Sequence, residues 1–410
     1  MTSSAYTVPY LPTGSVYGPA EMDALTRLLQ SGAKLSCGPE RDAFEQEFAA
    51  YAGVDHALSL TNATIALELA TYLLDLQPGD EVIAATQTYQ ANVTPLLALP
   101  VKVRFCDIDP NSLNISPDAL AGLVNDRTKA IYLVHHGGMP ADMEPILKIA
   151  AENNLTIVED CAHALGTKYH GRTPGTFGHL GCWSFQSYKN ISTLGEGGML
   201  TLSNPEWAER VGRVRSIEPD ARFTSRAQLA LGDYTLPADG IERHEKNSYA
   251  EDCVELRHPG TNSTLSEPAA AVGRVQLRNL DAFVARRRAI AERLDAGLKE
   301  IPGIRVQTRE AGIESSHHLY TCFLDSSTGI DRDAFIKRLD EQGIHIQLRY
   351  FPIHLLPEWR QRGNGLGECP VAERIWFHEQ INLPIYPQLE DWQVDFMVET
   401  VARTMGDFSR

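Results

Sequence analysis

The sequence predicts a two-domain α/β protein, and three observations carry that prediction. Short apolar stretches at 82–85, 101–105, 130–134 and 156–158 alternate with helix-patterned segments through about Met199, as expected for helices layered on a sheet. A long helical pattern over 266–300 follows, with Val272, Val275, Leu280 and Phe283 on its inner face, and reads as the link to a smaller C-terminal α+β domain. The chain has 410 residues, more than one hydrophobic core usually serves, and its apolar share of 43% is ordinary for a globular protein.

Taken in chain order, three junctions between elements stand out chemically. Leu58-Ser-Leu-Thr61 reads as a strand that turns directly into a helix opening on Ala63 and Thr64. The free N–H groups and positive dipole end of that helix, with the Thr64 hydroxyl, suit a phosphate dianion, although a polar cap before an amphipathic helix is commonplace. Leu155-Thr-Ile-Val-Glu159-Asp160 reads as a buried strand ending in two carboxylates. Ligands gather at the carboxyl ends of strands in α/β sheets, so Asp160 falls on the functional edge; the alternative is an N-cap for a following helix. Finally, Cys182-Trp-Ser-Phe-Gln-Ser-Tyr-Lys189-Asn190 carries a lysine from an apolar stretch to Gly195-Glu-Gly-Gly198, where glycine lets the backbone pass close to a neighbour before a strand at 199–202. A partly buried amine there has its charged form disfavoured and is a usable nucleophile and base near neutral pH, against the alternative of a surface lysine after an edge strand. A lysine and a carboxylate from neighbouring strand ends suit pyridoxal phosphate, whose aldehyde condenses with an amine and whose pyridine nitrogen needs an acidic partner.

Further blocks, including Ser36-Cys-Gly-Pro39, Pro78-Gly-Asp-Glu-Val82, Thr88-Tyr89, Pro140-Ala-Asp-Met143, Gly260-Thr-Asn262, His317-His-Leu-Tyr320 and Pro384, join these in order. Together they resemble the DegT/StrS family of sugar and cyclitol aminotransferases over nearly the whole chain. The resemblance implies an aspartate-aminotransferase-like fold of type I: a large domain over 1–264 with a mixed, mostly parallel seven-stranded sheet, and a smaller α+β domain over 265–410, with the N-terminal segment packing on the latter. It implies Lys189 as the Schiff-base lysine and proton carrier, and Asp160 as the pyridinium partner. His163 falls near the ring's phenolic oxygen, Tyr89 stacks on the ring, and Ala63, Thr64 and Ser184 hold the phosphate. Asn262 reaches the phosphate across a homodimer with shared active sites, and His318 and Tyr320 contact substrate. A structural histidine in a helix cap, an inward strand serine and a core tyrosine are the plain alternatives for His163, Ser184 and Tyr89. Four positions depart from the family's pattern: Ala63 replaces a glycine, Thr264 replaces a basic residue, Gly137 replaces a common tyrosine, and Leu194 lengthens the loop after Lys189 by one.

The implied activity is transfer of an amino group from glutamate or glutamine to a keto-sugar, nucleotide-linked or phosphorylated, or to a keto-cyclitol. A pyridoxal phosphate-dependent sugar dehydratase is disfavoured because relatives with that activity carry histidine in place of Lys189. A non-catalytic pyridoxal phosphate-binding regulator needs an output module for which the chain has no spare length. Seven dispersed cysteines without a close pair argue for reduced thiols and against a zinc site, and with no signal segment the expected compartment is the cytoplasm. No apolar run approaches the roughly 20 residues of a membrane span, and a formal charge of -16 opposes nucleic-acid and anionic-membrane binding. Arg286-Arg287-Arg288 reads as a solvated helix face. The stretch 216–259, with Pro219, Arg222, Arg226, Gly232, Pro237, Gly240, Arg243 and Lys246, reads as a long loop over the substrate entrance or a plain surface excursion.

Overall fold

A computed structural model describes residues 6–223 and 253–408. The chain divides into two compact units, Met1–Ser203 with Leu265–Arg410, and Asn204–Thr264.

The first unit is built on a sheet of β1 (His56–Leu60), β2 (Glu81–Ala85), β3 (Lys102–Cys106), β4 (Thr128–Val134), β5 (Thr156–Asp160), β7 (Leu180–Ser184) and β8 (Gly198–Leu202); the short β6 (Lys168–Tyr169) lies outside it. Strand order is β1-β8-β7-β5-β4-β2-β3, and β8 alone runs against its neighbours. The central strands are buried on both faces, because α4 (Pro117–Leu123) and α5 (Met143–Asn153) cover one side while α2 (Pro39–Ala52) covers the other. Ile83, Ile131, Leu133 and Ile157 pack with Leu120, Met143 and Ile146; Trp183, Phe185 and Met199 pack with Phe44 and Phe48. The remaining helices of this half are α1 (Pro19–Gln30) and α3 (Ala63–Leu73).

In the second unit α6 (Pro205–Val214) leads to β9 (Asp220–Phe223) and β10 (Cys253–His258), an antiparallel pair with irregular register. The stretch expected as a loop over 216–259 therefore starts and ends as paired strands, while Arg226, Gly232, Pro237, Gly240, Arg243 and Lys246 lie outside the described residues.

The chain returns to the first unit through α7 (Glu267–Leu298). A smaller antiparallel sheet of β11 (Ile304–Val306), β13 (Tyr320–Leu324) and β14 (Gln380–Leu383) packs on the second half of α7, α8 (Arg332–Glu341) and α11 (Asp391–Phe408); β12 (Ile313–Glu314) pairs with β6. Val8 enters this small core, exchanging backbone hydrogen bonds with Gly343 and His345. Helix α9 (Pro357–Arg360) precedes α10 (Pro370–His378), whose first-turn N–H groups on Val371 and Ala372 donate to the Asp107 carboxylate at 2.9 Å, so a residue just after β3 caps a helix of the small layer.

Helix α7 corrects two sequence expectations. Val272, Val275 and Leu280 are buried as expected, but Phe283 is only half-buried and Val284 takes the inner place. The arginine run is not a solvated face: Arg287 is 1% exposed and donates to the carbonyls of Gly14, His317 and Ile385 at 2.6, 3.0 and 3.0 Å. Arg288 donates to the carbonyls of Ser315 and Gly166. Segments from both ends of the chain pack over this stretch of α7, and their carbonyls need donors that only a long cationic side chain supplies. Burial pushes the Arg287 pKa down to about 10.

Candidate active site

A cavity of about 470 Å³ opens at the carboxyl ends of β5 and β7 and at the N-terminus of α3. It gathers Ala63, Thr64, Tyr89, Asp160, His163, Ser184, Lys189 and His318. Two other expected site residues are not among its lining residues. Tyr320 is a correction: it sits in β13 within the small core, 2% exposed, with its hydroxyl donating to Asp295 at 2.6 Å, so a substrate-binding role does not fit its placement. His318 lies in the turn before β13, where His317 has φ +47°, so it is not bound to the facing of Tyr320, which lies inside the strand and in the small core. Asn262 belongs to the second unit, where it forms a β-bridge with Ser216.

Asp160 ends β5 and is 4% exposed. Its Oδ1 accepts from the Ala162 N–H at 3.0 Å and its Oδ2 from Asn92 Nδ2 at 3.2 Å. The first contact closes a local turn rather than capping a helix, since a turn and not a helix follows. Burial raises the Asp160 pKa, opposed by the Ala162 N–H and by Lys189. Such a carboxylate is poised for a cationic partner.

Lys189 stands on a loop whose ends are laced together: Phe185 and Ser187 N–H groups donate to the carbonyls of Gly197 and Gly195, and Thr193 N–H donates back to Phe185. Asn190 ties the loop to the carbonyls of Leu165 and Ser316. The extra residue, Leu194, is absorbed at the exposed tip at φ +66°. From the other side Gly14 N–H donates to Ser187 O at 2.7 Å. A Cβ on Gly14 would lie 2.1 Å from the Tyr188 carbonyl oxygen and 2.5 Å from that of Lys189, so only glycine lets the N-terminal segment brace this loop. Removal from water pushes the Lys189 pKa down to about 8, against the pull of Asp160.

His163 is buried beside two rings, His318 at 4.3 Å and 22°, and Tyr350 at 5.6 Å and 7°. Gly137 N–H donates to His163 Nδ1 at 3.4 Å, which leaves Nε2 to carry the proton toward the Tyr350 hydroxyl at 3.2 Å. Burial first, then Lys189, holds the pKa values of His163 and His318 well below the ordinary histidine value, so both rings are neutral. His318 Nδ1 is buried without a partner and lines the cavity.

At the opposite end, Asn62 caps α3 by accepting from Ile65 N–H at 3.0 Å. The helix offers no partner to the N–H groups of Ala63 and Thr64, which lie at the cavity wall beside Ser184 and Gln186. Gly198 makes this junction possible, because a Cβ there would lie 2.4 Å from the Asn62 carbonyl carbon and 2.7 Å from Ala63 N. Tyr89 stands at the rim, 52% exposed, with its ring 5.9 Å from that of Tyr350.

Tyr10, Gln186, Tyr188, Glu196, Arg349 and Tyr350 also line the cavity and were not singled out from the sequence. Gln186, Tyr188 and Glu196 flank Lys189 and were available by proximity. Nothing local marks Tyr10, Arg349 or Tyr350, which arrive from the two ends of the chain. His135, Glu159 and Cys161 come within 4.8 Å of one another below the site. There His135 Nδ1 accepts from Ala141 N–H, while Glu159 accepts from His135 and the N–H groups of Gly175, Phe177 and Gly178, so these lone pairs already serve the fold. A second cavity of about 360 Å³ beside Asp109, Asp142 and Arg309 contains no lysine. Among the described residues no helix is long and apolar enough to cross a membrane, and Cys37, Cys106, Cys161, Cys182, Cys322 and Cys369 are free thiols.

A phosphate cradle of unpaired N–H groups, a buried carboxylate without an ion pair among the described residues and an amine of lowered pKa around one cavity fit pyridoxal phosphate. Comparison with known proteins agrees. Residues 17–402 match the model of the DegT/DnrJ/EryC1/StrS aminotransferase family. The dTDP-3-amino-3,4,6-trideoxy-alpha-D-glucose transaminase of Streptomyces venezuelae is 34% identical over 410 residues, covering 98% of this chain and 97% of its own. The crystal structure of the aminotransferase TlmJ from Streptoalloteichus hindustanus superposes with a TM-score of 0.83 at 32% identity, covering 98% of this chain and 100% of that one. The PLP-form of the putative sugar aminotransferase Spr1654 from Streptococcus pneumoniae superposes with a TM-score of 0.83 at 25% identity, covering 98% and 100%. The chain thus belongs to the DegT/DnrJ/EryC1/StrS aminotransferase family and is an aminotransferase of fold type I, in a family that uses pyridoxal phosphate.

Proposed function

We propose that the protein moves the amino group of glutamate or glutamine to the ketone of a sugar, nucleotide-linked or phosphorylated, or of a cyclitol, in amino-sugar, antibiotic or cell-surface glycan biosynthesis. The observation that carries this reading is Lys189, an amine of lowered pKa in one cavity with the buried Asp160. The relative from Streptomyces venezuelae, whose name describes a dTDP-amino-sugar transaminase, supports a sugar acceptor.

Pyridoxal phosphate, when bound, supplies the electron sink for negative charge at the donor's Cα. The first turn of α3, through Ala63 and Thr64, would hold its phosphate together with Ser184; Asp160 would keep the pyridine nitrogen protonated; Tyr89, at the rim of the same cavity, would pack on the ring. His163, held neutral by burial and by Lys189, would stand near the ring's phenolic oxygen. Lys189 Nζ takes the proton from the donor's Cα, and in the second half-reaction returns one to the carbon that was the acceptor's ketone. Enclosure by Tyr10, Tyr188 and Tyr350 limits water at that amine.

The acceptor is tested by loading the enzyme with amine from glutamate, removing excess donor, and screening nucleotide keto-sugars, keto-sugar phosphates and keto-cyclitols for return of the original cofactor absorbance. A response confined to keto acids would overturn the sugar reading. The lowered pKa predicts a pH profile as well. Capture of pyridoxal phosphate by the apoenzyme needs the Lys189 amine in its neutral form, so its rate rises about tenfold per pH unit below about pH 8 and levels above it. A profile still climbing at pH 10 would show an unperturbed lysine.

The active sites are proposed to be shared in a homodimer through Asn262. An inactive Lys189→Ala chain mixed with an Asn262→Ala chain, once the latter is shown to be impaired, then regains about half the wild-type activity per heterodimer, since one of its two sites is intact. No recovery after verified subunit exchange would place Asn262 outside the partner's site.

A further inference from the structure

Arg349 is the only arginine among the lining residues of the cavity. Its backbone is pinned by β14: its N–H donates to Asn382 Oδ1 at 2.9 Å, and Gln380 Nε2 donates to its carbonyl oxygen. Asn382 is fixed in turn by Thr321 on the adjacent strand. The guanidinium lies 5.6, 5.9 and 5.8 Å from the ring centroids of Tyr10, Tyr188 and Tyr350, and one Nη donates to Gln347 Oε1 at 2.8 Å. No carboxylate among the described residues pairs with it. A half-buried guanidinium has five donors in a planar fork, and here most of them lack an anionic acceptor although the backbone beneath is rigid.

We propose that Arg349 binds the α-carboxylate of the amino-acid donor. The inference rests on the aminotransferase reading and adds the residue that recognises the donor. In an α-amino acid the carboxylate is bonded directly to the carbon that loses its proton, so its cation must stand beside the proton-carrying lysine. Arg349 does: Tyr188, the residue before Lys189, is one of the rings against it, and its charge is felt by the Lys189 amine. The phosphates of a nucleotide-linked or phosphorylated sugar are several bonds from the reacting ketone and call for cations farther out. The three tyrosine rings orient the guanidinium and displace water around it, which strengthens a bidentate pairing with a carboxylate. When the keto acid departs, the fork is left to hydroxyl groups near the acceptor's ketone, so one pocket serves a carboxylate and an uncharged part of the second substrate in turn.

The test compares wild-type and Arg349→Gln holoenzymes with L-glutamate, L-glutamine and α-methyl-L-glutamate, the last of which binds but has no Cα proton. Arg349→Gln is expected to weaken spectroscopically measured binding of all three by about 10–100-fold, to a similar degree for glutamate and glutamine, with cofactor affinity unchanged. Arg349→Lys, which keeps the charge without the fork, is expected to recover part of the loss. Equal affinities in wild type and Arg349→Gln overturn the proposal, and so does a loss confined to glutamate, which would assign Arg349 to the donor's side-chain carboxylate. A wild-type enzyme whose spectrum responds to no amino acid would instead sink the aminotransferase reading and this proposal with it.

Discussion

Lys189→Ala is expected to abolish steady-state turnover while leaving the fold and non-covalent cofactor binding in place. Lys189 is the only lysine among the lining residues, and its loop is held by backbone contacts and by Asn190, none of which uses the amine. Loss of a positioned acid–base group typically costs about 10²–10⁴-fold, and loss of the covalent anchor adds to that. Single-turnover absorbance with glutamate measures the rate, and borohydride trapping with peptide mapping identifies the linked lysine. An added small alkylamine should restore part of the proton transfer, because the cavity keeps its shape. A trapped cofactor in the variant would identify another anchor and remove Lys189 from the mechanism.

Asp160→Asn is expected to slow proton removal from the donor by several orders of magnitude. The substitution keeps the shape and both local hydrogen bonds: Oδ1 still accepts from Ala162 N–H, and the new amide can donate to Asn92 Oδ1, a buried acceptor without a partner, after Asn92 turns over. The charge alone is lost. Its sign also separates the free protein from the loaded one. Burial raises the Asp160 pKa, so the stability it contributes to the cofactor-free fold is present at low pH and lost as pH rises through that raised pKa. At neutral pH the asparagine variant should therefore melt no lower than wild type without cofactor. With cofactor, wild type gains more, because its carboxylate meets a cationic ring nitrogen. Equal cofactor-induced rises in Tm and equal half-reaction rates in the two proteins would contradict the role given to Asp160.

Much of the site was legible because its central residues report local structure. Asp160 ends an apolar run that can only be a buried strand, and Lys189 follows another; the structure pairs those strands, β5 and β7, side by side. The glycines after Lys189 had a local meaning as well, since Gly198 admits the first turn of α3. The helix expected over 266–300 appears as Glu267–Leu298. Errors arose where a residue's surroundings come from far along the chain. Three arginines in a row on a helix resemble a solvated face until the carbonyls of Gly14, His317 and Ile385 converge on the middle one. Tyr320 sits in a motif whose histidine lines the cavity, but the histidine precedes β13 whereas the tyrosine lies within it, in the small core, where it meets Asp295.

The sequence by itself determined the alternating α/β layers, the strand ends that carry Asp160 and Lys189, and the helix N-terminus at Ala63 and Thr64. Those features follow from hydrophobic period, glycine placement and capping, which act over a few residues. Tertiary structure alone decided what encloses them. The ring of Tyr350 lies parallel to that of His163 across 187 positions of sequence, Gly14 braces the lysine loop from the N-terminal segment, and Arg349 is aimed into the cavity by hydrogen bonds to β14. No local pattern encodes such contacts, because each depends on how the small layer packs against the large sheet, and that packing is set by the summed burial of two cores rather than by any one segment.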